Sequence, residues 1–342
     1  MVLYISPEAR GGVDVWMDNI HGAMDLVGVP SRLRLLPHRY NFAPFLLPLV
    51  LRGNWARDAD LVHSGTRAGF ALRAPGRPLV VTVHHLVADP TSRRYTSLAQ
   101  RLFHRLERIY DGRSIREADA VTCVSRYTRE RVVEIYGRHD VHVVPNGVDT
   151  VRFRPAPANR LPSGRPFRLL FVGNRTRRKG ADLLGPVVAR LGDGFELWYT
   201  GGQRPDEEPI RAPQAVPLGR LSLTELVDAY NACDALIFPS RLEGFGLAVA
   251  EAMACGLPVI ASRCSSLPEL VVDGHGGVLC PVDDVEAFAS AARLLADDAD
   301  RRRAMGEFNR SRAEREFSFA AMAGRYARLY RQLGVEADQR RA

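Results

Sequence analysis

Two glutamates, Glu243 and Glu251, stand on either side of a glycine loop, Gly244-Phe245-Gly246, in the string RLEGFGLAVAEAMACGLPVIAS that runs from 241 to 262. Two glycines let an anion come close to the main chain, and the free N–H groups and dipole at the start of a following helix complete an anion site. Carboxylates accept hydrogen bonds from hydroxyls. Phosphate flanked by acids is the chemistry of a sugar nucleotide, although either glutamate taken alone reads as readily as a solvated surface acid. A second set is cationic: Gly173-Asn174-Arg175-Thr176-Arg177-Arg178-Lys179-Gly180 follows the apolar run 167–172. Cations crowded at the end of a strand suit a pyrophosphate leaving group whose charge must be neutralised without metal. Lys179 is the one lysine among 47 basic residues. A compact ammonium where every other position uses arginine indicates a point charge rather than a planar fork, with coding bias as the plain alternative. Arg177 and Arg178 read as solvated charge. A third set lies earlier: Gly11-Gly12 after the first apolar run, and His84-His85 just past the run 79–83.

Short apolar runs must position these groups. They occur at 2–5, 33–36, 60–63, 78–83, 118–124, 141–144, 167–172, 195–199, 235–238, 259–261 and 276–279. Helical stretches alternate with them, at 13–27, 94–111, 125–136, 247–254 and 319–333, which predicts parallel sheets with crossover helices. Around the glutamates, the run 235–238 stops at Pro239, the stretch 247–254 is rich in helix formers, and Cys255-Gly256-Leu257-Pro258 supplies the stop. In a strand, loop, helix, strand unit the loop lies at the carboxyl end of the sheet. Glu243 is then expected on the loop and Glu251 about two turns into the helix, both facing one ligand. Prolines and polar residues over 155–166 mark a domain boundary.

EGFGLAVAEAMACGLPVIAS resembles the donor-binding signature of the retaining GT-B glycosyltransferases called family 4, the glycosyl transferases group 1. That signature is an acid, a GFG-type loop, a second acid eight positions on and a CG-x-PV turn. Pro145-Asn146-Gly147-Val148-Asp149, with Phe153 after it, is similar to the family's interdomain connection, and Leu218-Gly219-Arg220-Leu221 with 226–232 to its nucleotide-base strip. The resemblance covers nearly all of residues 1–334, with its specific motifs in 145–280. It implies an α/β fold of the GT-B class, two Rossmann-like domains facing across a cleft. The first, 1–150, would bind the acceptor, the second, 151–318, the nucleotide sugar, and a C-terminal helix at 319–334 would cross back to the first. It further implies that Glu243 orients the donor sugar and that Gly244, Phe245, Gly246 and Leu247 offer backbone to the diphosphate. Glu251 would hold the ribose hydroxyls and Lys179 would sit on the diphosphate beside Gly173. His84 would reach the donor sugar or acceptor; this chain has His-His where the family has His-Asp or a similar pair, so His85 stays open beside it. The loop with Gly11 and Gly12 would face the acceptor or the phosphates. The family places arginine directly after the glycine and lysine five residues later. Lys179 fits, but Asn174 takes the arginine's place, so either Arg175 substitutes or the clamp is weaker. Asp58-Ala59-Asp60 has the spelling of a metal-binding DxD but precedes its strand, and reads as a loop.

The expected activity is metal-independent transfer of a hexose, mannose or glucose type, from a nucleoside diphosphate sugar to a saccharide or lipid-linked hydroxyl, with retention, in cell-surface polysaccharide synthesis. No cofactor is expected. The alternatives are a catalytically inactive nucleotide-sugar-binding partner, which Asn174 favours, and a GT-B sugar-nucleotide epimerase. The chain's 342 residues, 46% hydrophobic and 25% charged, suit two soluble domains. The amino end lacks the basic start and apolar core of a signal peptide. Five scattered cysteines without a CxxC pair suit a reducing compartment, so the expectation is a cytoplasmic protein, at the inner face of the membrane if it is peripheral. Of the net charge of +8, residues 1–155 carry +7, from 22 arginines against 15 acids. No aromatic-basic platform accompanies that excess, which argues against nucleic acid and for an anionic membrane or acceptor. The stretch RYNFAPFLLPLVLRGNWAR, 39–57, has aromatic and aliphatic residues with arginine flanks. It suits a membrane interface or a core helix, though two prolines spoil a regular amphipathic helix.

Overall fold

A computed structural model describes residues 1–8, 12–51, 53, 55–95, 98–156, 164–201 and 208–335. The chain divides into two compact units, one formed by Met1–Gly147 with the segment from Phe319 onward, the other by Val148–Ser318. The expected boundary near 150 thus falls at 147/148.

In the first unit six strands, β1 (Val2–Pro7), β2 (Ser31–Leu36), β3 (Leu61–Gly65), β4 (Leu79–Val83), β5 (Ala120–Cys123) and β6 (Val141–Val143), form one parallel sheet in the order β2-β1-β3-β4-β5-β6. β1, β3, β4 and β5 are buried along their whole length. That burial is why they read as continuous apolar runs instead of alternating ones. The last helix, Phe319–Gln332, packs Met322, Ala323, Tyr326 and Tyr330 into the core of this unit with Tyr4, Trp16 and Met17. A buried polar chain fastens it there. The Tyr330 hydroxyl meets the Tyr4 hydroxyl at 3.0 Å and His63 Nδ1 at 2.6 Å, while His63 Nε2 meets Thr82 Oγ1 at 2.7 Å and Thr82 meets Thr122 at 2.6 Å. Burial, with a smaller push from His84, drives the His63 pKa down to about 3, so the ring is a neutral link in this chain.

The second unit repeats the design with β7 (Phe167–Phe171), β8 (Phe195–Thr200), β9 (Ala215–Gly219), β10 (Ala235–Phe238), β11 (Val259–Ser262) and β12 (Gly277–Cys280). The order is β12-β11-β10-β7-β8-β9, so the winding reverses between β7 and β10. β9 was not legible as a strand: it is half exposed and carries Pro217 and Gly219. Arg302 donates to the carbonyls of Leu295 and Ala296 and lies 5.5 Å from the Phe167 ring centroid. Among the described residues no helix is long and apolar enough to cross a membrane.

Tyr330→Phe deprives two buried groups of a partner, the Tyr4 hydroxyl and His63 Nδ1. It should lower stability by about 1–3 kcal/mol, read as a lower urea midpoint for the transition that includes this helix.

Candidate functional site

β7 and β10 are neighbours, and the loops that leave their carboxyl ends diverge at the point where the winding reverses. This is where open α/β sheets leave a crevice for a ligand. The loop after β7 passes Gly173 and Asn174 into a 3-10 turn, Arg177–Lys179, whose preceding Thr176 accepts from the Lys179 N–H. Gly180 closes the turn with φ +70°, and a Cβ there would stand 2.0 Å from the Pro239 carbonyl oxygen. Only glycine lets this turn press against the residue after β10. Arg241, 7% exposed, locks the two loops: Nη1 and Nη2 donate to Asp182 at 2.6 and 3.0 Å, Nε donates to Asp283 at 2.5 Å, and Nη1 also reaches the Arg177 carbonyl. The Arg241 N–H donates to the Arg178 carbonyl at 2.8 Å, and Arg178 returns a bond to the Leu242 carbonyl at 2.7 Å.

This packing brings Lys179 Nζ to 2.6 Å from Glu243 Oε1 and 4.9 Å from the Phe238 ring centroid. The Ser240 hydroxyl donates to the same oxygen at 2.6 Å, and Arg178 stands 3.7 Å away. Burial alone would push the Glu243 carboxyl up, yet the charges of Lys179 and Arg178 with bonds from Lys179 and Ser240 hold it below its ordinary value. Burial draws the Lys179 ammonium down against the pull of Glu243. The pair is ionised, each charge being the main compensation for the other. Arg178 therefore belongs to the site and is not solvated surface charge.

The loop after Glu243 is held from below. The Glu243 N–H donates to Ser265 Oγ at 2.9 Å, and Ser266 Oγ donates to the carbonyls of Glu243 and Phe245 at 3.1 and 2.9 Å. Phe245 buries its ring edge-on to Phe317 at 5.8 Å, which leaves backbone and not side chain at the loop surface. Gly246, φ +104°, caps the helix Leu247–Ala254, and its carbonyl accepts from the Val249 and Ala250 N–H groups at 3.0 and 3.2 Å. Glu251 sits on this helix slightly more than one turn in, nearer the loop than the two turns expected. The Tyr230 hydroxyl donates to its Oε2 at 2.9 Å. Burial raises the Glu251 carboxyl to about 7, with the Tyr230 bond pulling the other way. The two acids are thus set apart: one ionised throughout the neutral range, the other close to half protonated.

Arg175 lies elsewhere. Its Nε donates to the Glu208 carbonyl at 2.8 Å and Nη1 to the Thr200 carbonyl at 3.2 Å, and the guanidinium is 5.5 Å from the Tyr199 ring centroid. Gly173 donates its N–H to Thr200 Oγ1 at 3.2 Å, and the Asn174 carbonyl accepts from Thr176. A cavity of about 550 Å³ borders Arg175, Arg177 and Asp182, and its lining does not include Lys179, Glu243 or Glu251.

In the first unit a separate cavity of about 340 Å³ opens at the carboxyl ends of β1, β3 and β4, lined by Ser6, Thr66, Arg67, Asp111, His84 and His85 among others. His84 packs its ring edge-on to Trp16 at 4.4 Å, its Nε2 is buried without a hydrogen-bond partner, and burial lowers its pKa to about 3. A neutral imidazole with an unsatisfied nitrogen in a cavity wall is suited to a ligand hydroxyl. Asp111, raised to about 7 by burial and bonded by Thr66, shares that wall. Gly11 lies outside the described residues, and Gly12 opens the helix Gly12–Met24. Ser240, Arg241, Tyr230, Ser265, Ser266 and Asp111 carried no spacing signal, because their roles arise from partners distant in sequence. Among the described residues no group of three or more His, Cys, Asp or Glu could hold a metal ion.

The description "Glycosyltransferase Family 4" matches residues 7–152 and "Glycosyl transferases group 1" matches 166–298. Alpha-maltose-1-phosphate synthase from Mycolicibacterium smegmatis is 31% identical over 320 residues, covering 82% of this chain and 81% of that protein. Glycogen synthase from Mycobacterium tuberculosis is 29% identical over 267 residues, 74% of this chain, and the match spans only 63% of that protein's length. Among solved structures, sucrose-phosphate synthase from Thermosynechococcus elongatus matches with a TM-score of 0.82 over 97% of this chain and 98% of its own, at 23% identity, a likeness of fold.

Because Glu251 holds its proton more tightly when folded, its contribution to stability is full below pH 4.5 and is lost as pH rises through about 7. Across that window the melting temperature of the wild type should fall relative to Glu251→Gln, which lacks the titration, as read by differential scanning calorimetry.

Proposed function

The chain belongs to the glycosyl transferases group 1 of glycosyltransferase family 4, and from that membership we propose that it moves a hexose from a nucleoside diphosphate sugar to an acceptor hydroxyl. The finer reading is a glucose- or mannose-type donor, retention at the anomeric carbon, and a saccharide or lipid-linked acceptor in cell-surface polysaccharide synthesis at the inner face of the membrane. The observation that carries it is the Lys179–Glu243 pair beside the Gly246-capped helix, at the reversal of the second sheet.

In the departing step the bond between the anomeric carbon and the diphosphate oxygen lengthens. Positive charge gathers on the sugar ring and negative charge on the diphosphate. Lys179 and the amides from Gly244 to Leu247 neutralise the latter without a metal ion. Glu243, already ionised and 6% exposed, accepts hydrogen bonds from the sugar hydroxyls and orients the ring; it is not assigned as a covalent nucleophile. Glu251 accepts from the ribose hydroxyls. Arg175 would serve the diphosphate only by exchanging the Thr200 and Glu208 carbonyls for phosphate oxygens. In the first unit, His84 Nε2 would hold an acceptor hydroxyl. The diversion of Arg175, together with Asn174, favours a second reading, a partner that binds nucleotide sugar without turning it over.

Lys179→Ala should lower kcat by about 10²–10³-fold with a smaller change in KM. The check is steady-state kinetics with whichever of UDP-, GDP- or ADP-hexose raises the melting temperature, with the anomeric configuration of the product followed by proton NMR. Donor-induced stabilisation with no released sugar and no transfer would favour the non-catalytic reading. An inverted product would overturn retention.

A further inference from the structure

The stretch 39–57 is neither a regular amphipathic helix nor a core helix. Pro44 and Pro48 break it into turns, His38–Asn41 and Pro44–Leu46, followed by a single helical turn, Leu47–Val50. Tyr40 and Leu47 face inward and pin the segment to the core of the first unit, while Phe42, Phe45, Leu49 and Val50 face solvent, each more than half exposed.

These outward groups continue onto a second element. The Phe42 ring lies 5.6 Å from the ring of Phe103, on the helix Leu98–Glu117. Leu106 and Ile109 follow Phe103 at spacings of three, which puts them along one flank of the helix. Both are exposed, at 48% and 56%. The result is one apolar surface built from two segments far apart in sequence. Leu26 and Val151 are also exposed, but singly, as surface apolar residues commonly are.

Arginines edge this surface. Arg39, Arg101, Arg105 and Arg108 are exposed. The acids in the middle of the same helix are turned inward: Glu107 is buried against Arg67, and Asp111 is buried in the cavity wall. Such sorting leaves apolar side chains edged by exposed arginines. This matches a bilayer, whose acyl boundary takes the apolar groups and whose anionic headgroups take the guanidiniums.

We propose that Phe42, Phe45, Leu49, Val50, Phe103, Leu106 and Ile109, edged by Arg39, Arg101, Arg105 and Arg108, form a docking surface for an anionic lipid bilayer. The surface lies on the first unit and uses none of the residues assigned to the donor. It deepens the reading of a membrane-side enzyme and stands apart from the donor chemistry.

The test is co-sedimentation of the full chain with vesicles of phosphatidylglycerol and phosphatidylcholine, against vesicles of phosphatidylcholine alone. The wild type should partition to the anionic vesicles, and rising salt should weaken the partition. Phe45→Ser/Leu49→Ser and Arg105→Gln/Arg108→Gln should each reduce it about tenfold, with melting temperature and donor-induced shift unchanged because all four side chains are exposed. Absence of partition, or equal partition by wild type and variants, overturns the proposal. So does a dimer, seen by sedimentation equilibrium, that dissociates in Phe45→Ser/Leu49→Ser. Failure of every donor to shift the melting temperature would count against the donor reading and leave this result intact.

Discussion

Lys179 and Glu243 are taken out of water at the end of one sheet, and most of the second unit's local structure follows from keeping them together. A carboxylate or ammonium buried alone costs several kcal/mol. The cost is offset only if the partner is close and the remaining lone pairs are met. Here Ser240 supplies a hydroxyl, Arg178 a second positive charge and Phe238 a ring face. That closeness requires the loops after β7 and β10 to touch, which requires a residue without a Cβ at Gly180 and a clamp at Arg241. The serines at 265 and 266 then fix the direction in which the Gly244–Gly246 loop leaves Glu243.

The same unit separates two carboxylates by environment. Glu243 is surrounded by cations and stays ionised, while Glu251 faces a phenol and apolar helix neighbours and titrates near neutrality. Divergent protonation of two acids is one way a fold assigns them different work. In the proposed reading, an ionised acid beside the sugar would stabilise a cationic ring. An acid poised near 7 binds hydroxyl donors best once deprotonated.

Much of this was legible in the sequence because it is local. The strand, glycine loop, helix and strand around Glu243 follow from an apolar run, two glycines, seven helix formers in eight residues and a Gly-x-Pro stop, all within one stretch. The lone lysine was legible by composition. What escaped depends on distant partners. Arg178 read as solvated because nothing near it in sequence shows that Leu242 and Glu243 come to meet it. β9, with its proline and glycine, has no periodic signal and exists through its pairing with β8. Asp111 was hidden in a stretch read as helical, since its burial beside Thr66 and Arg67 leaves no mark on the residues around it. Arg175 was placed by analogy of position, whereas its guanidinium follows the carbonyls at the end of β8.

The central claim is that the Lys179–Glu243 pair is the seat of the donor's diphosphate and sugar. The most direct measurement is calorimetric titration of the nucleoside, its diphosphate and its diphosphohexose into wild type and into Glu243→Gln/Lys179→Met. That double variant removes both charges and leaves neither one buried alone. The account predicts that in the wild type the diphosphate binds at least about tenfold more tightly than the nucleoside, and that in the variant this advantage is lost while nucleoside affinity stays. An undiminished diphosphate advantage in the variant would contradict it and move the phosphate site away from this pair.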